Sequence, residues 1–347
     1  MLKSVKNKRR LWLGIRSARA HTDKVNIMFF HGKTFNEHTV YPMHESHAIM
    51  ADPKFDHNKK TVLYIHGYVE DPSHQSIHVT VDAYLTRDDY NCLVLDWSVL
   101  ADGNFFVDAV PNIKQLGPKM AEVILDWFDE GLNVDTFHIV GHSLGGQMSG
   151  VIGRSVFKKS RGETQIARIS ALDPAFPTFY PSLGTPAVNK NDAKFVDIIH
   201  TDAWLYGIPI STGHADFWPN SGKTLQPGCP KRGMLLTLSD VGKKINDLCS
   251  HRRSWWFWAE SVASSEKSAF HAAKAKSWDD FKKGRIDESS VTHMGNDCST
   301  SARGDYYLQT NGLRPFSRGA DGLNYTKVKY DINRTFVGDK TIRKKAS

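Results

Sequence analysis

The chain lacks any run of 18 or more apolar residues, so no stretch of it can cross a membrane as a helix. Only four of its 347 residues are cysteine, and neither they nor the histidines fall into zinc-finger spacing. Internal repeats and low-complexity tracts are also missing. The N-terminus has the positive start of a secretory signal but not its apolar core, because Arg16 and Arg19 break up Leu11-Trp12-Leu13-Gly14-Ile15. On this reading the chain carries no export signal. Against it stand two glycosylation sequons, Asn324-Tyr325-Thr326 and Asn333-Arg334-Thr335, which have meaning only outside the cytosol. The net charge of +8 gathers at the two ends, in residues 3–10 and 343–345, and reads as solvated tails rather than a nucleic-acid site.

What is present suffices for one large α/β domain, since 40% of the residues are hydrophobic. Short apolar, β-branched runs at residues 61–65, 92–97, 137–140, 169–173 and 195–200 read as buried parallel strands. Between them, residues 113–128 carry apolar side chains at helical spacing, at 116, 120, 123, 124 and 127. Strands that alternate with helices imply a mostly parallel sheet, which binds ligands beyond its C-terminal strand ends. His66, Asp96, Ser143, Asp173 and His200 fall at those ends.

The most specific local pattern is Gly141-His142-Ser143-Leu144-Gly145, the G-x-S-x-G of a nucleophile elbow. A serine at the tip of a sharp strand-to-helix turn leaves no room for side chains beside it, and it faces the N–H groups of a helix N-terminus. Its hydroxyl needs a histidine to take its proton and a carboxylate to orient that histidine. In this topology the order along the chain is serine, acid, histidine. Asp173, followed by Pro174 at a strand end, is the leading acid; Asp197 lies inside a strand and reads as structural, while Asp202 competes. His200, His214 and His251 are nearly equal candidates by position. Of the cysteines, Cys92 lies in an apolar strand as a buried thiol, and Cys229 and Cys249 are the pair we join. That bridge would anchor His251 and close the intervening segment into a lid.

The stretches TVLYIHGY, LDWS, GHSLGG, ALDPAFP, FVDIIHTD, GHADFWPNSG, QPGCP, CSHRRS and ARGDYYLQTN resemble, in order and spacing, the catalytic domain of the pancreatic-lipase family, particularly its insect lipase and phospholipase A1 branch. The resemblance implies an α/β-hydrolase fold, a central mostly parallel sheet flanked by helices, with a lid loop over the active site. It divides the chain into a flexible basic extension (1–24), a lipase domain (25–320) and a flexible C-terminal extension (321–347). Carried over residue by residue, it makes Ser143 the nucleophile, Asp173 the orienting carboxylate and His251 the general base and acid. The backbone N–H groups of Tyr68 and Leu144 become the oxyanion hole, and His66 a structural turn residue.

The chain also departs from the family. Where relatives read C-x-S-W-x-x-F-x-x-G-x-C, it has Ala275 and Ile286 in place of both cysteines. A calcium pattern of some relatives, R-x-D-x-x-D, appears as residues 187–192 without its arginine and with one carboxylate. We therefore expect no metal, no cofactor and, without a following β-sandwich domain, no colipase. The resemblance implies a lipid carboxylester hydrolase working at a lipid–water interface. A phospholipase A1 releasing the sn-1 fatty acid is preferred, because residues 203–213 form a short loop, and a triacylglycerol lipase is the alternative. The expected lid, residues 230–248, carries the apolar strip Met234-Leu235-Leu236-Thr237-Leu238, which either contacts a membrane peripherally or packs over the site. A silent lipase-fold storage or lipid-binding protein is the rival of another class, and the intact triad positions speak against it. The family is mostly secreted, which implies an extracellular location.

Overall fold

Runs of β-branched and aromatic residues form the centre of one 11-stranded sheet. The structure, a computed structural model, describes residues 22–230 and 248–327. The strands are β1 (Asn26–Phe30), β2 (His38–Pro42), β3 (Lys60–Ile65), β4 (Tyr90–Asp96), β5 (Phe137–His142), β6 (Arg168–Leu172), β7 (Phe195–Ile199), β8 (Ala215–Pro219), β9 (Phe270–Lys274), β10 (Asp287–Met294) and β11 (Gly304–Leu308). Their order is β10-β9-β11-β8-β7-β6-β5-β3-β4-β1-β2. The stretch from β11 to β4 is parallel, and antiparallel strands close both edges. The five strands read from the sequence are β3 to β7. With the helices on both faces they make this an α/β-hydrolase sheet.

The helices are α1 (Gln75–Arg87), α2 (Ser98–Ala101), α3 (Val110–Asp129), α4 (Leu144–Lys159), α5 (Cys249–Ala263) and α6 (Trp278–Lys282). Side chains of the central strands alternate between two cores. Ile27, Leu63, Leu93 and Ile139 pack with α3 and α4 on one face. Met28, Val62, Val94 and Val140 pack with α1 and α5 on the other. Each fully buried large side chain contributes roughly 1.5–3 kcal/mol relative to exposure. In α3 the buried residues Ile113, Leu116, Met120, Ile124 and Trp127 form the expected stripe, and Pro111 starts the helix where its missing N–H costs nothing.

This topology fixes where chemistry can occur. The order along the sheet reverses between β3 and β5, so the loops after these strands diverge and leave a crevice between their C-terminal ends. The loop beginning at His66 and the turn at Ser143 border that crevice.

One segment departs from expectation. Residues 321–327, expected to begin a loose extension, pack onto the domain: Gln309 Nε2 donates to the Thr326 carbonyl (2.7 Å) and Tyr325 meets Trp278 edge-on. The ends beyond, and the sequon at Asn333, lie outside the described residues. The segment that lacks two family cysteines folds on other contacts. Ser277 caps α6 by accepting from Asp280 N–H (3.1 Å), Trp278 stacks on the buried Phe281, and Arg285 grips Asp280. In the residues that replace the calcium pattern, Asp192 receives Arg154 Nε (2.9 Å) and Nη2 (2.7 Å) on its two oxygens.

Asp197 is a structural acid. Fully buried, it accepts from Arg168 Nε (2.8 Å) and Nη2 (2.9 Å) and from the Ser170 hydroxyl (2.7 Å), which also meets His138 Nε2. Replacing Asp197 with Ala leaves Arg168 an uncompensated buried charge. The expected loss is about 3–5 kcal/mol, read as a lowered urea midpoint; an unchanged midpoint would show that the pair contributes nothing.

Candidate active site

Between the end of β5 at His142 and the start of α4 at Leu144 the chain must reverse at one residue. Ser143 makes the reversal with φ 54° and ψ −118°, a conformation that costs on the order of 1–3 kcal/mol for a residue with a side chain. Surrounding contacts hold it there. Its N–H donates to the Leu172 carbonyl (3.0 Å), and its carbonyl accepts from Ala175 N–H (3.1 Å). The first turn of α4 lies so close to the end of β3 that a Cβ on Gly145 would stand 2.1 Å from the Ile65 carbonyl oxygen. Glycine at 145 is therefore a packing requirement.

Asp173 follows β6 with φ 44° and is fully buried. Its Oδ1 accepts from the N–H groups of Thr201 (2.8 Å) and Asp202 (3.0 Å), and its Oδ2 meets His251 Nδ1 at 2.6 Å. The approach of the next loop is equally close, since a Cβ on Gly207 would lie 2.2 Å from Asp173 Oδ1. His251 sits in the first turn of α5, two residues after Cys249, which is bridged to Cys229. The bridge ties the histidine-bearing turn to the preceding loop. With Nδ1 donating to Asp173, the lone pair of the neutral ring lies on Nε2. Burial pushes His251 below its ordinary value of 6.5, against the opposing effects of Asp173 and Glu70, so the ring is held ready to accept a proton. Its faces meet His142 (4.7 Å between ring centres) and Tyr206 (5.6 Å).

After β3 the chain runs through His66-Gly67-Tyr68. His66 is buried; its Nε2 accepts from Trp97 N–H (3.3 Å), so Nδ1 carries the proton and donates to the Gly67 carbonyl (3.0 Å). That carbonyl and the Tyr68 N–H belong to one planar peptide and point opposite ways. Holding the oxygen from behind thus aims the N–H away from His66. The Tyr68 hydroxyl is fixed on the Gly103 carbonyl (2.6 Å). Leu144 N–H opens α4, where the first N–H groups have no partner within the helix.

The rival candidates are occupied elsewhere. His200 uses both ring nitrogens, on Asp216 (2.8 Å) and the Ile208 carbonyl (3.1 Å), and stacks on Trp218. His214 Nδ1 accepts from Val196 N–H (3.0 Å). Asp202 serves the site through its backbone rather than as the orienting acid. Glu70, Gly207 and Tyr206 also border the site, and no local pattern in the sequence signals them. The expected lid lies, through residues 231–247, outside the described residues.

A strained serine at the tip of a strand-to-helix turn, beside a buried Asp–His pair on a parallel sheet, places the protein among the α/β hydrolases. Comparison narrows this: the chain belongs to the Lipase family, whose model matches residues 5–316 and so reaches into the stretch expected as an N-terminal extension. Similar curated proteins include pancreatic lipase-related protein 2 of Bos taurus, 29% identical over 85% of this chain and 63% of its own length. Lipoprotein lipase of Gallus gallus is 31% identical over 85% and 60%, and pancreatic triacylglycerol lipase of Sus scrofa 27% identical over 84% and 66%. The chain thus spans about three-fifths of the length of these curated relatives. Among solved structures, an α/β hydrolase enzyme from a deep-sea metagenome library is similar over 44% of this chain and 60% of its own, with 16% identity and a TM-score of 0.29.

Two outcomes follow from this geometry. Because only neutral His251 can accept a proton and burial lowers its pKa, the acidic limb of kcat/KM on a soluble ester should fall below pH 6.5, measured by a pH series. Asp173→Asn removes the acceptor that sets the tautomer, so kcat should fall by about four orders of magnitude while KM stays near its original value.

Proposed function

We propose that the protein hydrolyses carboxylic esters of lipids, with Ser143 as nucleophile, His251 as base and acid, and Asp173 as the carboxylate that orients it. The observation that carries this reading is the 2.6 Å bond of His251 Nδ1 to Asp173 beside the strained elbow. In this mechanism His251 Nε2 takes the Ser143 proton as Oγ attacks the acyl carbonyl. The N–H groups of Tyr68 and Leu144 receive the developing oxyanion, the interaction that lowers the barrier most. Collapse breaks the ester bond, His251 protonates the departing glyceryl oxygen, and an acyl-enzyme remains. Water, deprotonated by His251, then attacks the acyl carbon; the bond to Ser143 Oγ breaks, His251 returns the proton to Oγ, and the fatty acid leaves.

The preferred substrate is a phospholipid cleaved at its sn-1 ester. Supporting this, the segment after β7 folds back tightly, with Trp204 N–H on Gly207 O (3.1 Å) and Gly207 N–H on Asp202 O (3.1 Å), and leaves little to cover a headgroup. Its Trp204 (58% exposed) and Leu205, with Val69 and the Phe106-Val107 pair on the opposite segments, give the surroundings of the site an apolar surface suited to a lipid–water interface. A triacylglycerol substrate is the second reading, favoured by the names of the relatives. An extracellular location is supported by the Cys229–Cys249 bridge and by the exposed sequon at Asn324.

Ser143→Ala should abolish fatty-acid release, and a fluorophosphonate probe should label Ser143 of the unmodified protein. Retained activity in the variant would remove the assignment. Lysophospholipid from phosphatidylcholine vesicles is the expected product; diacylglycerol from triolein emulsions without lysophospholipid would select the second reading.

A further inference from the structure

Glu70 stands in the loop between β3 and α1, and no step of the reaction above uses it. Its side chain is only 12% exposed. Oε2 accepts from Gly67 N–H (2.9 Å) and from the Ser76 hydroxyl (3.0 Å), at the start of α1. Oε1 lies 3.3 Å from Nδ1 of His142, the residue that ends β5 and precedes the nucleophile. One carboxylate therefore touches both segments whose N–H groups form the oxyanion hole. The segments also press on each other directly: a Cβ on Gly67 would sit 3.1 Å from His142 Nδ1 and from Ser143 Cβ. Burial alone would raise Glu70, but the facing His142 ring and the Gly67 N–H hold it well below the ordinary carboxylate value, so it is ionised.

We propose that Glu70 is a positioning residue that clamps the Gly67-Tyr68 arm of the oxyanion hole to the serine elbow through His142. The proposal rests on the reading of Ser143, Asp173 and His251 as the hydrolytic residues. Tyr68 and Leu144 come from loops distant in sequence, and both donors must keep a fixed separation for one oxygen to meet them. His66 fixes the rear of the first arm, but its partners, Trp97 and Gly67, lie outside the elbow. Glu70 supplies the link across the crevice. It also bears on the base. His251 is faced by Asp173 beyond β6, His142 at the end of β5, Tyr206 in the loop after β7, and the charge of Glu70. The charge of Glu70 favours the imidazolium that forms during attack, and His142 opposes it.

The test measures kcat, KM and the pH profile of the full chain on p-nitrophenyl butyrate, a soluble ester, for Glu70→Gln, Glu70→Asp and His142→Asn. Glu70→Gln keeps the shape and removes the charge. It should lower kcat about 10- to 100-fold with KM nearly unchanged, the signature of a misplaced transition-state contact. Its acidic limb should move to lower pH, because a group that raises His251 is gone. Glu70→Asp should recover much of kcat and return the limb toward its original position. His142→Asn breaks the same clamp, so it too should lower kcat, but its acidic limb should move to higher pH. Should Glu70→Gln fail to fold by circular dichroism, the Glu70→Asp and His142→Asn profiles decide.

Wild-type kcat in folded Glu70→Gln would overturn the proposal. So would limbs of Glu70→Gln and His142→Asn that stay unmoved, since a merely structural acid changes stability and not the base. If the unmodified protein neither cleaves the ester nor labels at Ser143, the hydrolase reading falls first and the positioning role with it; normal cleavage with an indifferent Glu70 removes the positioning role alone.

Discussion

The rest of the site depends on one backbone contact, that of the first turn of α4 against the carbonyl end of β3. Gly145 is the only kind of residue that permits it, and strand register carries its consequences outward. β3 and β5 align Ile65 with Gly141, which sets the His66 turn beside Ser143. β5 and β6 align His142 with Leu172, so Ser143 and Asp173 emerge from neighbouring strand ends. β6 and β7 align Leu172 with Ile199, which brings the Thr201 and Asp202 amides to the Asp173 carboxylate. Because side chains alternate with a period of two, a slip of one residue in any of these pairs would turn a functional group to the wrong face.

Buried acids paired with a base recur through the molecule, and the pair alone does not make chemistry. Asp216 holds His200, Glu70 faces His142, Asp197 holds Arg168, and Asp173 holds His251. What separates them is where the second valence of each base goes. His200 spends its other nitrogen on a carbonyl and braces the loop that supplies amides to Asp173. Arg168 spends its remaining donor capacity on the carbonyls of Gly295 and Asn296, fastening β6 to a distant loop. His251 gives one nitrogen to Asp173, and the other is the one that the proposed mechanism uses as the base.

Much of this was legible in the sequence where the cause was local. The five central strands are uninterrupted apolar runs, and the elbow advertises itself by its glycines. The order of Ser143, Asp173 and His251 follows from the topology those strands imply. The edge of the sheet was not legible: β10 reads Asp-Glu-Ser-Ser-Val-Thr-His-Met and buries only its last residue, so it has no apolar alternation to detect. Residues 321–327 read as an extension because a polar contact from Gln309 to Thr326 holds them, not an apolar run. His200, His214 and His251 looked alike because their roles are set by partners that meet only in three dimensions. Glu70 was invisible for the same reason, its partners lying three, six and 72 residues along the chain.

The four cysteines allow three pairings, and the fold bridges Cys229 to Cys249 while burying the other two as free thiols. Cys92 lies at zero exposure within β4, and Cys298 is buried at 6%, where burial pushes its thiol up to about 12. Burial raises Cys92 as well. Thiol exchange needs a thiolate that can reach a sulfur, and both leftover thiols are denied ionisation and access once the strands close. The bridge at the His251 helix is thereby protected from scrambling by its own chain. On the proposed mechanism, the covalent anchor of the base is thus kept intact by thiols that the fold holds out of reach.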